Sequence, residues 1–266
     1  MESESVESWA LAYVEATTYA AKLSPPRPPR TFSVGAQPLR LVQPGRGPEF
    51  QVKGHGDKSS GASALQSVAR RARLVHTFLH HELAAAELMA WALLAFPDAP
   101  LRLRRGLLGV LLDEVRHMNL YADYLRAAGF APGSFPVRDW FWERIPTVRD
   151  LSAFLATMGI GFEGANLDHT SRFAARFRSA GDEAGASLCE RVGREEIPHV
   201  RFALRWFREL SPLVAEGVPL FEAWRQSLPE PLSPTVMRFV PTCREDRRRS
   251  GLDDAFIDAL EAWSGE

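Results

Sequence analysis

Apolar positions recur along most of the chain with a period near 3.6 rather than 2, which predicts helices and little or no sheet. Four long segments carry the pattern: 63–96, 101–128, 148–179 and 182–209. The first is stopped by Pro97-Asp98-Ala99-Pro100, a sharp break for a helix. The second ends near Gly129, the residue type that takes the left-handed turn after a helix, with Pro132 beyond it. The third runs out around Ser179-Ala180-Gly181, and Asp182 is placed to cap the fourth. Short links inside each pair and a longer connection at 129–147 predict two antiparallel hairpins. The expectation is therefore an all-α protein with a four-helix bundle over residues 63–212. Trp140-Phe141-Trp142, in the long connection, is expected to cover one end of its core.

The flanks have a different texture. Residues 4–22 read as one helix, with Trp9, Tyr13 and Tyr19 among small residues and no breaker. Seven prolines from Ser24 to Pro48 predict extended, partly polyproline II chain, and GHGDKSSG (Gly54–Gly61) reads as a flexible polar linker. Phe32, Val34, Leu39, Leu41, Val42 and Phe50 are expected to hold this N-terminal segment, 1–62, against the rest of the protein. Beyond Pro212 the tail, 213–266, is punctuated by prolines and closes with an amphipathic helix from Asp253 to Trp263.

Polar residues inside the apolar stripes are the informative ones. Glu114 and His117 follow Leu107, Val110 and Leu111 on one face of the second helix. Glu196 and His199 follow Leu188 and Val192 on the fourth. Each is a Glu-x-x-His pair within an apolar surface, where an unpaired carboxylate is costly and a metal ion is one remedy. In the first helix Glu82 sits at the centre of the stripe Val75, Phe78, Leu79, Ala86, Met89. In the third, Glu163 shares a face with Leu155, Gly159, Phe162 and Asn166. One Glu from each of two helices plus Glu-x-x-His from the other two is the ligand set of di-iron and di-manganese bundles. The halves also repeat: Glu82 to Glu163 spans 81 residues, while Glu114 to Glu196 and His117 to His199 each span 82.

Hairpin register agrees for the first pair. Glu82 lies 14 residues before Phe96 and Glu114 lies 14 after Pro100, so both sit at one height. The second pair is offset by roughly one turn. Glu87 is the alternative ligand on the first helix, five residues out of level, and its counterpart in the repeat, Asp168, is also a carboxylate. Asp113 and Glu195 are candidates to accept the free ring N–H of a ligand histidine, or else face solvent. Tyr121 is a candidate to line the pocket. His76, His80 and His81 read as surface or core-edge residues, His169 as solvent-facing, and Cys189 as a small buried apolar residue. Pro198, within the second Glu-x-x-His, is expected to kink the fourth helix or mark an irregularity there.

Composition changes this picture little. A formal net charge of −1 gives no bulk electrostatic argument for nucleic-acid or membrane binding. The arginines at 70–73, 102–105 and 247–249 remain local candidates, with solvated faces as the ordinary reading. Two cysteines cannot form a disulfide framework. The acidic start MESESVESW lacks a signal-peptide plan, and no apolar run reaches the roughly 18 residues of a membrane span. The expectation is a soluble, cytoplasmic protein.

The stretch His76 to Phe207 resembles the ferritin-like proteins grouped as domain of unknown function 455. The resemblance is carried by HTFLHHELAAAEL (76–88), FPDAP (96–100), LLDEVRHMNLYADYL (111–125), EGANLDHT (163–170) and REEIPHVRFALRWF (194–207). KLSPPRPPR (22–30) looks like that family's N-terminal segment, and DEVRH (113–117) is similar to the metal motif of bacterial di-iron monooxygenases. The resemblance implies a ferritin-like bundle and a relation to di-iron transfer-RNA hydroxylases. Glu82, Glu114, His117, Glu163, Glu196 and His199 are then the expected ligands of two metal ions, iron first and manganese second. The leading functional expectation is an O2-activating non-haem di-iron oxidoreductase. It would act on a small-molecule substrate that the sequence does not name and draw on an external electron donor. The alternatives are a non-catalytic iron-binding or storage protein and a transfer-RNA hydroxylase-like enzyme.

Overall fold

The computed structural model describes residues 4–53 and 65–265. The Gly54–Gly61 linker and the expected helix start at Ser63 lie outside the described residues. The fold is all-α; among the described residues the only β pairing is a single bridge between Val52 and Val137. The chain divides into two compact units, Met1–Pro146 and Thr147–Glu266.

The first unit is built on a hairpin of α3 (Val68–Ala95) and α4 (Leu101–Ala127), which pack along their length. Gly129 takes φ +82°, and Phe130 N–H returns to Leu125 O at 2.9 Å, closing α4 as the sequence suggested. The expected helix over 4–22 is two helices, α1 (Val6–Glu15) and α2 (Tyr19–Leu23). The break has a local cause. Thr18 leaves the helical region to cap α2, accepting Ala21 N–H at 3.2 Å, and Tyr19 N–H is taken by the Glu49 carboxylate.

The proline-rich segment does lie along this hairpin and α1, but side-chain packing is not its main fastening. Val34 is 99% exposed, Val42 80% and Leu39 39%. The backbone supplies the contacts instead. Val6 N–H donates to Thr31 O (2.8 Å), Leu39 N–H to Leu94 O (2.9 Å), and Gly45 N–H to Val14 O (2.8 Å). The indoles of Trp9 and Trp91 donate to Pro26 O and Leu41 O at 2.8 and 2.9 Å. Gly45 is required there, because a Cβ would collide with the Glu15 carbonyl. Phe50 alone of the expected anchors is fully buried, under the Tyr19 ring.

The second unit pairs α6 (Glu163–Ser179) with α7 (Glu183–Leu210), and Asp182 caps α7 through Gly185 N–H at 2.8 Å. The expected helix from 148 to 179 is helical throughout from Leu151, but not uniformly. After α5 (Leu151–Phe154), residues Leu155–Phe162 form a π-helix that ends directly at Glu163. α7 runs without a break through Pro198. A marked irregularity lies in the third segment, in that π-helix. Its wider turn is tied down from the tail: Trp224 on α9 (Leu220–Gln226) donates its indole N–H to Ala156 O at 2.8 Å. Gly159 lets α7 approach at Ala203, where a Cβ would overlap. Three further tail helices follow the sequence's punctuation: α8 (Pro212–Ala215), α10 (Arg244–Arg249) and α11 (Asp254–Ala262), the last capped by Asp253.

Candidate metal centre

Each unit carries one half of the constellation read from the sequence. On α3 and α4, Glu82, Glu114 and His117 are all buried. His117 Nδ1 lies 3.2 Å from Glu114 Oε2 and 3.7 Å from Glu82 Oε2. The three residues each offer a donor atom, all within 4.8 Å of one another, and could hold a metal ion. Two carboxylates and an imidazole so close together, with no solvent to screen them, are a donor set suited to a divalent cation.

On α6 and α7, Glu163, Glu196 and His199 are likewise buried. His199 Nδ1 lies 2.9 Å from Glu196 Oε2, the same internal contact that His117 makes with Glu114. Asn166, one turn after Glu163, donates to Glu196 Oε1 at 3.4 Å. Glu196 too is among the residues able to ligate a metal ion. The i, i+3 spacing explains the repetition: one helical turn sets the imidazole beside its own glutamate.

The competing carboxylates are engaged elsewhere. Glu87 receives Lys22 at 2.7 Å, both arms of Arg46 at 2.6 and 2.7 Å, and the Trp142 indole at 2.9 Å. Burial pushes its carboxyl up, but Arg46 and Lys22 override this and hold it below the usual range. Asp168, its counterpart in the repeat, is held by Arg247 Nε and NH2 at 3.2 and 2.8 Å. The backbone N–H groups of Cys243 and Phe239 also donate to it, at 2.7 and 3.3 Å. Five residues is about 140° around a helix, so each site glutamate is followed by a second buried carboxylate on another face. In both units an arginine from outside the hairpin neutralises that second carboxylate. Lys22 and Arg46 did not stand out in the sequence, and Arg247 did so only as part of a basic cluster read as a solvated face. A carboxylate inside an apolar stripe was the visible half of each pair.

The remaining candidates fall as follows. Asp113 is 45% exposed and pairs with Arg116 at 3.0 Å, while Glu195 is 29% exposed and pairs with Arg191 at 3.2 Å. Tyr121 is buried against Phe78, ring centroids 5.8 Å apart. His76 and His80 are buried, against expectation, because they lie on the α3 face covered by the 129–147 connection. His76 Nε2 accepts Gly133 N–H at 2.8 Å, and burial with the neighbouring His80 and Arg73 lowers its pKa to about 4. His80 Nε2 meets Asp139 at 2.9 Å; against the effect of burial, His80 and Arg46 draw the Asp139 carboxyl down to about 2. Trp142 is buried, and Phe141 stacks on His81 at 5.2 Å. His169 does not face solvent freely; it is half-buried, its ring 3.7 Å from that of Phe239. Cys189 is buried, which pushes its thiol up to about 12.

Two of the arginine clusters are not simple solvated faces. Arg104 is buried against Glu7, and Arg247 is the buried partner of Asp168. Among the described residues no helix is long and apolar enough to cross a membrane.

Comparison with known proteins places the chain in a family. No solved structure matches it. An uncharacterized protein of Haemophilus influenzae is 27% identical over 105 residues, an alignment covering 39% of this chain and 36% of the relative. The chain thus spans about a third of the length of that curated relative. The model of the family described as "Protein of unknown function (DUF455)" matches residues 6–258, so the chain belongs to that family.

Proposed function

We propose that the two half-sites close on each other in a ferritin-like four-helix bundle spanning 63–212 and hold two metal ions, iron or manganese. In this reading the protein is a non-haem di-metal oxidoreductase. One observation carries the reading: two buried sets of the same composition, each a lone glutamate plus Glu-x-x-His with the imidazole Nδ1 against its own glutamate. That combination, one set per hairpin, is the ligand pattern of di-iron and di-manganese carboxylate bundles.

Glu82, Glu114 and His117 from one hairpin and Glu163, Glu196 and His199 from the other would hold the two ions. A bound iron pair supplies the capacity to bind and reduce O2, with electrons from a separate donor. The chain's own contribution is positional. Buried apolar neighbours exclude water from the carboxylates, which strengthens their hold on a cation. Lys22 and Arg46 occupy Glu87, and Arg247 occupies Asp168, which keeps two further buried carboxylates out of the ligand set. The substrate in this reading is a small molecule; of the 102–105 arginines, Arg104 is withdrawn into its pair with Glu7 while Arg102 and Arg105 stay exposed.

The test is an optical one. Anaerobic protein loaded with ferrous iron, then exposed to air, is expected to develop a new near-ultraviolet absorption band and to consume oxygen. Bound iron that stays spectroscopically inert in air would turn the reading toward a metal-handling role.

A further inference from the structure

The phenol of Tyr13 is the feature that the ligand set does not account for. Tyr13 lies on α1, which packs on α3, and it is buried with its ring stacked on Trp9 at 5.6 Å. Its hydroxyl has no hydrogen-bond partner among the described residues. A buried, unpartnered O–H is unfavourable, so its retention calls for a partner.

Three ties set the level at which this part of the N-terminal segment meets the hairpin. Lys22 Nζ, 5.1 Å from the Tyr13 ring centroid, donates to the carbonyls of Tyr13 and Val14 at 2.6 and 2.9 Å and pairs with Glu87 on α3. On the other side of the hairpin, Asn119 of α4 donates to Leu23 O at 2.8 Å. Glu87 is nine residues before Phe96 and Asn119 nineteen after Pro100. Glu114, at fourteen, falls between these two anchor levels. Consistent with that placement, burial and the negative charges of Glu87 and Glu114 raise the phenol's pKa, with Arg46 opposing them.

We propose that the Tyr13 hydroxyl is a hydrogen-bond donor to a small anion or solvent molecule seated beside Glu114 in the first half-site. The N-terminal segment then contributes a ligand-binding group to a centre otherwise made by the bundle helices. This inference rests on the metal-site reading of Glu82, Glu114 and His117. The chemistry is that of a lone neutral O–H in a site of carboxylates: it can donate to an anion without adding charge.

Tyr19 is the control. Its hydroxyl is also buried and unpartnered, but the charged groups around it are Arg46, Glu49, Asp139 and Glu87, none of them in the ligand set. The experiment loads full-length protein with cobalt(II), whose optical spectrum reports its ligands, and titrates azide as the small anion. Wild type is expected to bind cobalt and to shift its spectrum with azide. Tyr13→Phe is expected to bind cobalt normally but to lose roughly tenfold or more in azide affinity. Its metal-free melting temperature should be unchanged or higher, because an unpartnered hydroxyl has been removed. Tyr19→Phe should match wild type in both titrations. Azide affinity unchanged in Tyr13→Phe overturns the proposal while the metal site stands. A lower metal-free melting temperature in Tyr13→Phe marks the hydroxyl as structural and overturns it too. A wild type that binds no cobalt ends the metal-site reading and this inference with it.

Discussion

Replacing Arg247 with methionine removes the charge but keeps much of the apolar stem, and leaves Asp168 as a fully buried carboxylate. The pair is bidentate at 2.8 and 3.2 Å, with both side chains almost entirely out of solvent. Breaking one side of such a pair costs about 3–5 kcal/mol, because the surviving charge keeps its desolvation penalty. Here two backbone donors remain on Asp168, from Cys243 and Phe239, and each offsets part of that penalty. The expected loss is therefore near the lower end, about 3 kcal/mol. Asp168→Asn/Arg247→Met removes both charges while an amide oxygen still accepts Cys243 N–H. That double variant should recover to within about 1–2 kcal/mol of wild type. Urea unfolding followed by tryptophan fluorescence reads all three proteins. Arg247→Met within about 0.5 kcal/mol of wild type, or a double variant no better than the single, would refute a stabilising role for the Asp168–Arg247 pair.

Three other perturbations separate the roles of neighbouring residues. Glu82→Gln should abolish metal binding with little change in metal-free stability. Glu87→Gln should keep the metal yet lose about 3 kcal/mol in urea, since Lys22 and Arg46 lose their counter-charge; metal analysis beside denaturation distinguishes the two. Stability should fall in two steps on acidification. The first lies between pH 6.5 and about 4, as the unfolded chain takes up protons that His76 and His169, both lowered by burial, refuse. The second lies between 3.8 and about 2, as Asp139 holds out in its ion pairs. These groups have depressed folded values, so their contribution is complete above the unfolded pKa and is lost as the pH falls from there through the folded value. Asp139→Asn should flatten only the second step in a pH series of melting temperatures. Gly159→Ala should destabilise by about 1–3 kcal/mol by driving a Cβ into Ala203. Gly109→Ala, whose Cβ meets nothing, should stabilise by about 0.5–1 kcal/mol.

The helical pairs were legible in the sequence because their stops are chemical: Pro97 and Pro100, Gly129, and Asp182 each act locally. Glu82, Glu114, His117, Glu163, Glu196 and His199 were legible for the same reason, since a charge within an apolar stripe is visible from periodicity alone, whereas buried His76 and His80 were not. The break between α1 and α2 was not. Thr18 is a poor breaker by itself and acts through the distant Glu49, which takes Tyr19 N–H. The pairings of Arg46, Lys22 and Arg247 were hidden similarly, although Arg247 belonged to a basic cluster visible in the sequence. A basic residue in an extension looks like any solvated charge until the fold brings it to Glu87 or Asp168. The π-helix before Glu163 also escaped detection, because its widened turn is set by packing at Gly159 and by Trp224 rather than by a breaker. It ends directly at Glu163, and π turns often occur beside functional residues.

Counting metal is the most direct test of the proposed centre of six side chains. Full-length protein incubated with ferrous iron under anaerobic conditions, then desalted, should retain about two ions per chain. Glu114→Gln and Glu196→Gln, one variant for each half-site, should each lose most of that iron while remaining folded. Wild-type protein that retains no metal, or variants that retain as much as wild type, would contradict the account.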